Sequence, residues 1–295
     1  MKITFLGTAA MVPTIERNHP GILLNYKTEN ILLDCGENIQ RQLTITKFSS
    51  AKITKVLITH WHGDHSLGLP GLFQSMSAHQ YKKQLEIYGP KNSENMVRKM
   101  VSAFLLKEKI NYKVKEANGK FFQNEDFILE AYSMKHSSPC LAFSIVEKPK
   151  RRINKDYLKK FKIKNSPILA ELKQGKDVTY NGKKILAKKA TYLVPGKKIT
   201  YITDTLPNEN CIKAAKNADI LICEATFASD LKDKAEEYQH LTASQSAAIA
   251  KKAKAKKLIL THFSQRYKNT NSLLDEAKKI FKNTIAAKDF MTIDV

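Results

Sequence analysis

Thr59-His60-Trp61-His62-Gly63-Asp64-His65 follows directly on the apolar run Val56-Leu57-Ile58. The run is short, aliphatic and bounded by polar residues, so it reads as a buried strand. Its carboxyl end then carries three imidazoles and a carboxylate within six residues. Packing gives no reason to gather those residue types at one point. Open α/β sheets keep their sites in the loops beyond the carboxyl ends of their strands. Neutral imidazole nitrogens and carboxylate oxygens suit zinc and similar divalent ions, and alternate residues of an extended loop can face two neighbouring ions. A polar surface loop rich in histidine by chance is the bland alternative, and it leaves the spacing unexplained.

Outward from this loop, short runs of Val, Ile and Leu recur at residues 3–7, 21–26, 30–34, 85–88, 127–134, 141–146, 199–203, 220–223, 258–261 and 291–295. Each reads as a strand. Helical patterns fall between many of them, at 93–106, 242–253 and 273–282. The second of these opens on Thr242-Ala243-Ser244-Gln245, which has the spacing of a capping box. Alternating strands and helices predict an α/β fold, and no fixed-period repeat interrupts it. At 295 residues the chain is long enough for one large domain.

The four cysteines, Cys35, Cys140, Cys211 and Cys223, are scattered and form no C-x-x-C pair. That argues against a thiolate zinc site or a disulfide framework and fits a reducing, cytoplasmic setting. No apolar run approaches the roughly 18 residues of a membrane span. The first ten residues read as a β-strand rather than a leader, because Gly7 and Thr8 interrupt a short apolar stretch.

Charge is the second signal. Fifty Lys+Arg against 28 Asp+Glu give a formal net of +22. A field of that size favours a polyanion such as nucleic acid. Residues 148–198 hold 17 Lys+Arg and 3 Asp+Glu, with Pro149 near one end and Pro195-Gly196 near the other. The segment therefore reads as an inserted basic arm that meets phosphates, rather than as a solvated lysine-rich loop.

The first loop does not complete a dinuclear site. His136 follows the run 127–134, Asp204 follows 199–203, and His262 follows 258–261. With His60, His62, Asp64 and His65 they make five histidines and two aspartates. Asp204 would be the natural bridge, because a carboxylate can offer one oxygen to each ion. Taken singly, any of these could cap a turn at a strand end. His240 lies just ahead of the helix that Thr242 opens, and Glu224 ends the run 220–223. A carboxylate that holds an imidazole suits a proton donor, although His240 reads equally well as a helix-start residue.

At this point the residues resemble a family. The H-x-H-x-D-H loop with the later His136, Asp204 and His262 resembles the metallo-β-lactamase superfamily and, within it, ribonuclease Z. Pro13-Thr14-Ile15-Glu16-Arg17-Asn18 is similar to that family's Pro-x-Lys-x-Arg-Asn loop, with Ile15 in place of lysine. Glu224-Ala225-Thr226 with His240, and His262-Phe263-Ser264-Gln265-Arg266-Tyr267, resemble its later motifs. The basic stretch falls where the family carries its tRNA-gripping arm, with Leu172-Lys173 and Gly175 matching and Ser166-Pro167 replacing Gly-Pro.

The resemblance implies an αββα four-layer sandwich, residues 1–295, with the arm 148–198 inserted in it. It implies two Zn²⁺ per subunit, one held by His60, His62 and His136, the other by Asp64, His65 and His262, with Asp204 between them. The implied reaction removes the 3′ trailer of precursor tRNA just 3′ of the discriminator nucleotide, leaving a 3′-hydroxyl on the tRNA and a 5′-phosphate on the trailer. Asp64 would orient the attacking water, and His240, held by Glu224, would protonate the leaving oxygen. Arg17, Asn18, Lys150, Arg151, Arg152 and Lys173 are the candidate substrate contacts. A cytoplasmic homodimer with no membrane and no nucleotide cofactor is also implied. Two rivals stand beside this: a small-substrate hydrolase of the same fold, such as a phosphodiesterase or thioesterase, and a non-catalytic RNA-binding protein on a zinc scaffold. Neither rival accounts for both the arm's charge and an intact ligand set. His19 and His79 read as ordinary packing or surface residues, and Trp61 as packing under the ligand loop.

Overall fold

The apolar runs pair into two seven-stranded sheets. The computed structural model describes residues 1–103, 110–163 and 166–295. The first sheet runs β18 (Thr292–Asp294), β1 (Lys2–Gly7), β2 (Gly21–Tyr26), β3 (Glu29–Leu33), β4 (Lys55–Leu57), β5 (Gln84–Gly89), β6 (Asn111–Glu116). The second runs β17 (Thr284–Ala286), β16 (Leu258–Thr261), β15 (Ile220–Glu224), β14 (Lys198–Ile202), β9 (Cys140–Glu147), β8 (Phe127–Met134), β7 (Gly119–Gln123). β14 to β17 are parallel, as are β3 to β6. Parallel strands are covered on both faces, which is why Leu258-Ile259-Leu260 and Ile220-Leu221-Ile222 are continuous apolar runs rather than alternating ones.

Helices cover the outer face of each sheet. Leu69–Ala78 and Ser93–Ala103 bury Leu72, Phe73, Met76 and Val97 against the first. Ala243–Lys252 and Asn271–Ile280 bury Ala243, Ala247, Ala250, Leu273 and Ala277 against the second. The expected capping box is present: the Thr242 hydroxyl accepts from the Gln245 N–H, and the Gln245 side chain accepts from the Thr242 N–H. The helix expected at 93–106 is seen to Ala103, and its last three positions lie outside the described residues. Between the sheets, Phe121 packs on Tyr88 at 4.9 Å and on Phe143 at 5.8 Å between ring centroids. Two helical layers thus enclose two sheets, the four-layer αββα arrangement.

Apart from the ends of β7, β8 and β9, these elements belong to one compact unit, Met1–Phe122, Leu129–Ile145 and Lys198–Val295. A second unit comprises Val146–Lys197 together with Gln123–Ile128. It has a small core of its own, Leu158, Leu172, Val178, Ile185, Ala187 and Ala190. Two antiparallel pairs frame it: β10 (Lys150–Ile153) with β13 (Thr191–Val194), and β11 (Val178–Tyr180) with β12 (Lys183–Ile185). Asn181-Gly182 makes the second turn with both residues at positive φ, 48° and 72°, the geometry that favours Asn-Gly in two-residue hairpins. Among the described residues no helix is long and apolar enough to cross a membrane.

Candidate metal centre

Strand ends converge at one edge of the first unit. β4 leads into His60 and His62, and the four-residue helix Gly63–Ser66 brings in Asp64 and His65. Gly36 and Gly68 let that helix sit close to the backbone beyond β3, where a Cβ on either would collide with main-chain oxygen. Asp204 comes just after β14, Glu224 ends β15, and His262 follows β16. Asp204 and His262 have positive φ, 44° and 59°, which turns them out of the strand direction; the left-handed region tolerates Asp and His better than bulkier residues.

The seven residues form two sets whose ligand atoms lie within 4.8 Å of one another: His60, His62, His136 and Asp204, and Asp64, His65, Asp204 and His262. Asp204 divides between them. Its Oδ2 lies 3.5 Å from His60 Nε2 and 3.9 Å from His136 Nε2, while Oδ1 lies 3.5 Å from His65 Nε2 and 3.2 Å from His262 Nε2.

Outer hydrogen bonds fix which nitrogens are bare. His65 Nδ1 faces Asp34 Oδ2 at 2.8 Å and so carries the proton. The Thr226 hydroxyl can give its single hydrogen to Glu224 or to the His262 carbonyl, and therefore accepts from His262 Nδ1–H at 3.0 Å. Thr59, whose hydroxyl faces both oxygens of Asp34, accepts in the same way from His60 Nδ1. His136 Nδ1 donates to the Gln239 carbonyl at 3.3 Å. Four Nε2 lone pairs therefore point into the cluster, and those of His65 and His262 face each other at 3.2 Å. Two lone pairs at that distance repel unless a proton or a metal cation lies between them. His60 Nε2 and Asp64 Oδ1 are buried with no hydrogen-bond partner, a costly arrangement unless an ion or a bound water satisfies them. The residues fit a pair of divalent cations.

Electrostatics agree. Burial opposes charge on His65, yet Asp64, Asp204 and Asp34 hold its imidazolium well above the ordinary range. Burial and then His65 push His60 down, so it stays neutral. Despite its burial, Asp204 is held well below the ordinary carboxylate range, with His262 the foremost opposing influence. The pocket asks for positive charge near His65, which a divalent cation supplies without a proton.

Beside the cluster, His240 Nδ1 lies 3.0 Å from Glu224 Oε2. Glu224 is fully buried; its Oε1 accepts from the Thr205 N–H, and its Oε2 accepts from the Thr226 hydroxyl as well as facing His240. His240 keeps some contact with solvent.

Arg17 and Asn18, expected at the substrate, are used internally. Arg17 is buried, and its guanidinium donates to the Tyr267 carbonyl. Asn18 donates to the carbonyls of His19 and Glu37. Lys150, Arg151, Arg152 and Lys173 line one groove of the second unit. Trp61 packs on the first core and donates to Ser93 Oγ, and His79 faces Ser50 Oγ.

Asp34 escaped the sequence reading. Besides His65 it accepts from the Thr59 N–H at 2.7 Å and from the Tyr201 hydroxyl at 3.0 Å. Like the ligands, it stands just past a strand, with φ 57°, and that placement was its available signal. Asp34→Ala is expected to weaken metal affinity about 10–100-fold, as loss of a carboxylate behind a ligating histidine does. A metal titration that follows the retained ion against a competing chelator checks it; unchanged affinity would show that Asp34 serves packing alone.

Two family models match, "Anti-Pycsar protein Apyc1" over residues 1–147 and "Beta-lactamase superfamily domain" over residues 170–263. Ribonuclease Z of Archaeoglobus fulgidus is 37% identical over 100% of this chain and 97% of its own length. Ribonuclease Z of Nanoarchaeum equitans is 38% identical over 99% of this chain and 92% of its own. The chain belongs to the ribonuclease Z family. The human tRNase Z short form superposes over 100% of this chain and 99% of its own with TM-score 0.74 at 29% identity. As a ribonuclease Z family member of metallo-β-lactamase fold, the chain is a metal-dependent endoribonuclease, and the His/Asp cluster is where its fold supplies metal ligands.

Proposed function

We propose that this ribonuclease Z family member holds two zinc ions and removes the 3′ trailer of precursor tRNA by hydrolysis just 3′ of the discriminator nucleotide. The observation that carries this is the division of Asp204 between two ligand sets beside the His240–Glu224 pair. Five imidazoles and two carboxylates without a thiolate suit zinc. His60, His62 and His136 would hold one ion, Asp64, His65 and His262 the other, and Asp204 both. Bound there, two cations would neutralise phosphate charge and make water acidic enough to attack at neutral pH.

The chain's own groups do the rest. Asp64 Oδ1, buried and without a hydrogen-bond partner, would accept a hydrogen bond from the attacking water and orient it. Glu224 fixes His240 by its Nδ1–H, which leaves the other ring nitrogen to donate a proton. As the bond from phosphorus to the discriminator's 3′ oxygen breaks, His240 gives that proton to the oxygen. The tRNA keeps a 3′-hydroxyl and the trailer leaves with a 5′-phosphate. The basic arm, residues 148–198, would grip the body of the tRNA through Lys150, Arg151, Arg152 and Lys173, which share a groove of the second unit. By the family resemblance the working form would be a homodimer. Four buried, unpaired cysteines support a reducing cytoplasm.

The test is cleavage of a 3′-extended precursor tRNA, mapped to the nucleotide, with and without chelator. A single cut after the discriminator, lost on chelation and restored by Zn²⁺, is expected. An enzyme that hydrolyses a small phosphodiester but leaves the precursor whole would sink the reading.

A further inference from the structure

The positive charge of this chain lies in two places. One is the arm. The other is the stretch 251–288, with 11 Lys+Arg against two acids. Outside these two stretches the chain has 22 Lys+Arg and 23 Asp+Glu. A general drift toward lysine would load every part alike, and it has not.

The fold gathers most of these lysines at one end of the second sheet, whereas Arg266, Lys268 and Lys288 follow the carboxyl ends of β16 and β17 at the other. Lys251, Lys252 and Lys254 lie at and beyond the end of the helix Ala243–Lys252, and Lys278 and Lys279 occupy the last turn of Asn271–Ile280; all five are exposed. Backbone bonds stitch these turns together: Lys256 N–H to the Ala218 carbonyl, Asn217 N–H to the Ala253 carbonyl, and Leu258 N–H to the Asn283 carbonyl. Exposed Lys282 adjoins Asn283, so it belongs to the same surface. No acid occurs within 251–257 or 278–282, and the nearby Asp219 pairs with Lys256. Two helix carboxyl termini with their negative dipole ends favour some lysine here, but a last turn of each helix would satisfy them, and the lysines continue well past both ends.

Direction matters. His262 follows the carboxyl end of β16, whereas Lys257 precedes its amino end, and β14 to β17 all run the same way. The lysines therefore sit at the opposite end of these strands from the metal centre, roughly 15 Å away at about 3.3 Å per residue. An RNA strand needs on the order of five stacked nucleotides, at about 3.4 Å each, to span that gap.

We infer that this lysine face is a second RNA-binding surface, which takes the phosphates of a long single-stranded 3′ trailer after it has passed the metal centre. The inference rests on the proposed action on precursor tRNA. Flexible lysines without an aromatic partner give phosphate contact and no base reading, so the face would hold trailers of any sequence. Its contribution is to affinity, and it depends on trailer length.

The variant Lys251→Glu/Lys252→Glu/Lys254→Glu/Lys282→Glu removes the charge and touches no residue of the metal centre. Two precursors are compared, with trailers of about 2 and about 20 nucleotides, the first too short to reach the face and the second long enough. The expected result is a KM raised at least about 10-fold for the long trailer only, with kcat unchanged. The dependence of log KM on log salt should also flatten by up to about 3, near 0.7 per lost contact. Anisotropy of a labelled RNA oligonucleotide of about 20 nucleotides reads the face without cleavage, and the variant should bind it more weakly. Equal KM change on both precursors, or none on either, overturns the inference. Unchanged melting temperature and unchanged hydrolysis of a small phosphodiester establish that the variant is folded. Should the wild type cut neither precursor, the proposed function fails, while oligonucleotide binding still decides whether the face holds RNA.

Discussion

Asp204→Ala is expected to lower kcat/KM on RNA by at least about 10³-fold. Each of its oxygens faces a different ligand set, at 3.2 to 3.9 Å from four imidazole nitrogens. Removing it subtracts a donor from both sets and the negative charge that two cations held there would share. Metal content should fall together with rate, so the purified variant is to be assayed for bound zinc as well as cleavage. Asp204→Asn is the sharper comparison. It keeps the shape and one carbonyl oxygen but loses the charge, and is expected to retain one ion better than the other. Full metal occupancy and near-normal rate in the alanine variant would mean that the two sets are independent sites.

His240→Ala is the second large effect, about 10²- to 10⁴-fold in kcat on RNA, the usual range for a positioned general acid. The test of its role is the leaving group. A ribose 3′ oxygen needs a proton as it departs, whereas p-nitrophenolate does not. Hydrolysis of bis(p-nitrophenyl) phosphate should therefore survive the substitution with a loss of less than about 10-fold. Glu224→Gln should lie between, since it keeps a hydrogen-bond acceptor but loses the charge that favours the imidazolium. Equal losses on both substrates would assign His240 to structure instead.

Its pH dependence follows. Burial pulls the His240 imidazolium down, but Glu224 and then Asp204 outweigh burial and push it up to about 9. With His240 as the proposed proton donor, the acid form would be the active one, present on the acidic side and lost as pH rises through its titration. Cations on Asp204 cancel that carboxylate's share, so the alkaline limb of kcat in the loaded enzyme should fall below 9. His240→Ala should abolish that limb.

Much of this site could be read from residue types at strand ends. His60, His62, Asp64 and His65 crowd one loop, and Asp204 and His262 each follow an unbroken aliphatic run. Asp34 stands in the same position after β3 but was hidden, because Asp-Cys-Gly also reads as an ordinary turn. Only three-dimensional pairing shows its carboxylate behind His65 and under Tyr201. The edge strand β6 was missed for a different reason. Asn111-Tyr112-Lys113-Val114-Lys115-Glu116 alternates half-buried with exposed positions, so it has no apolar run, as suits a charged sheet edge. In the arm the density of lysine masked a hairpin that Asn181-Gly182 announces locally. Arg17 and Asn18 were legible as a motif but not as interior groups, since nothing in their own stretch reveals Tyr267, 250 residues on.

Asp204 also sets a timetable for synthesis. The set His60, His62, His136 and Asp204 is complete once residue 204 is in the chain, whereas the other set waits for His262, 58 residues later. At roughly 5–20 residues per second that interval lasts about 3–12 s. During it a nascent chain has every donor of one set and lacks one donor of the other.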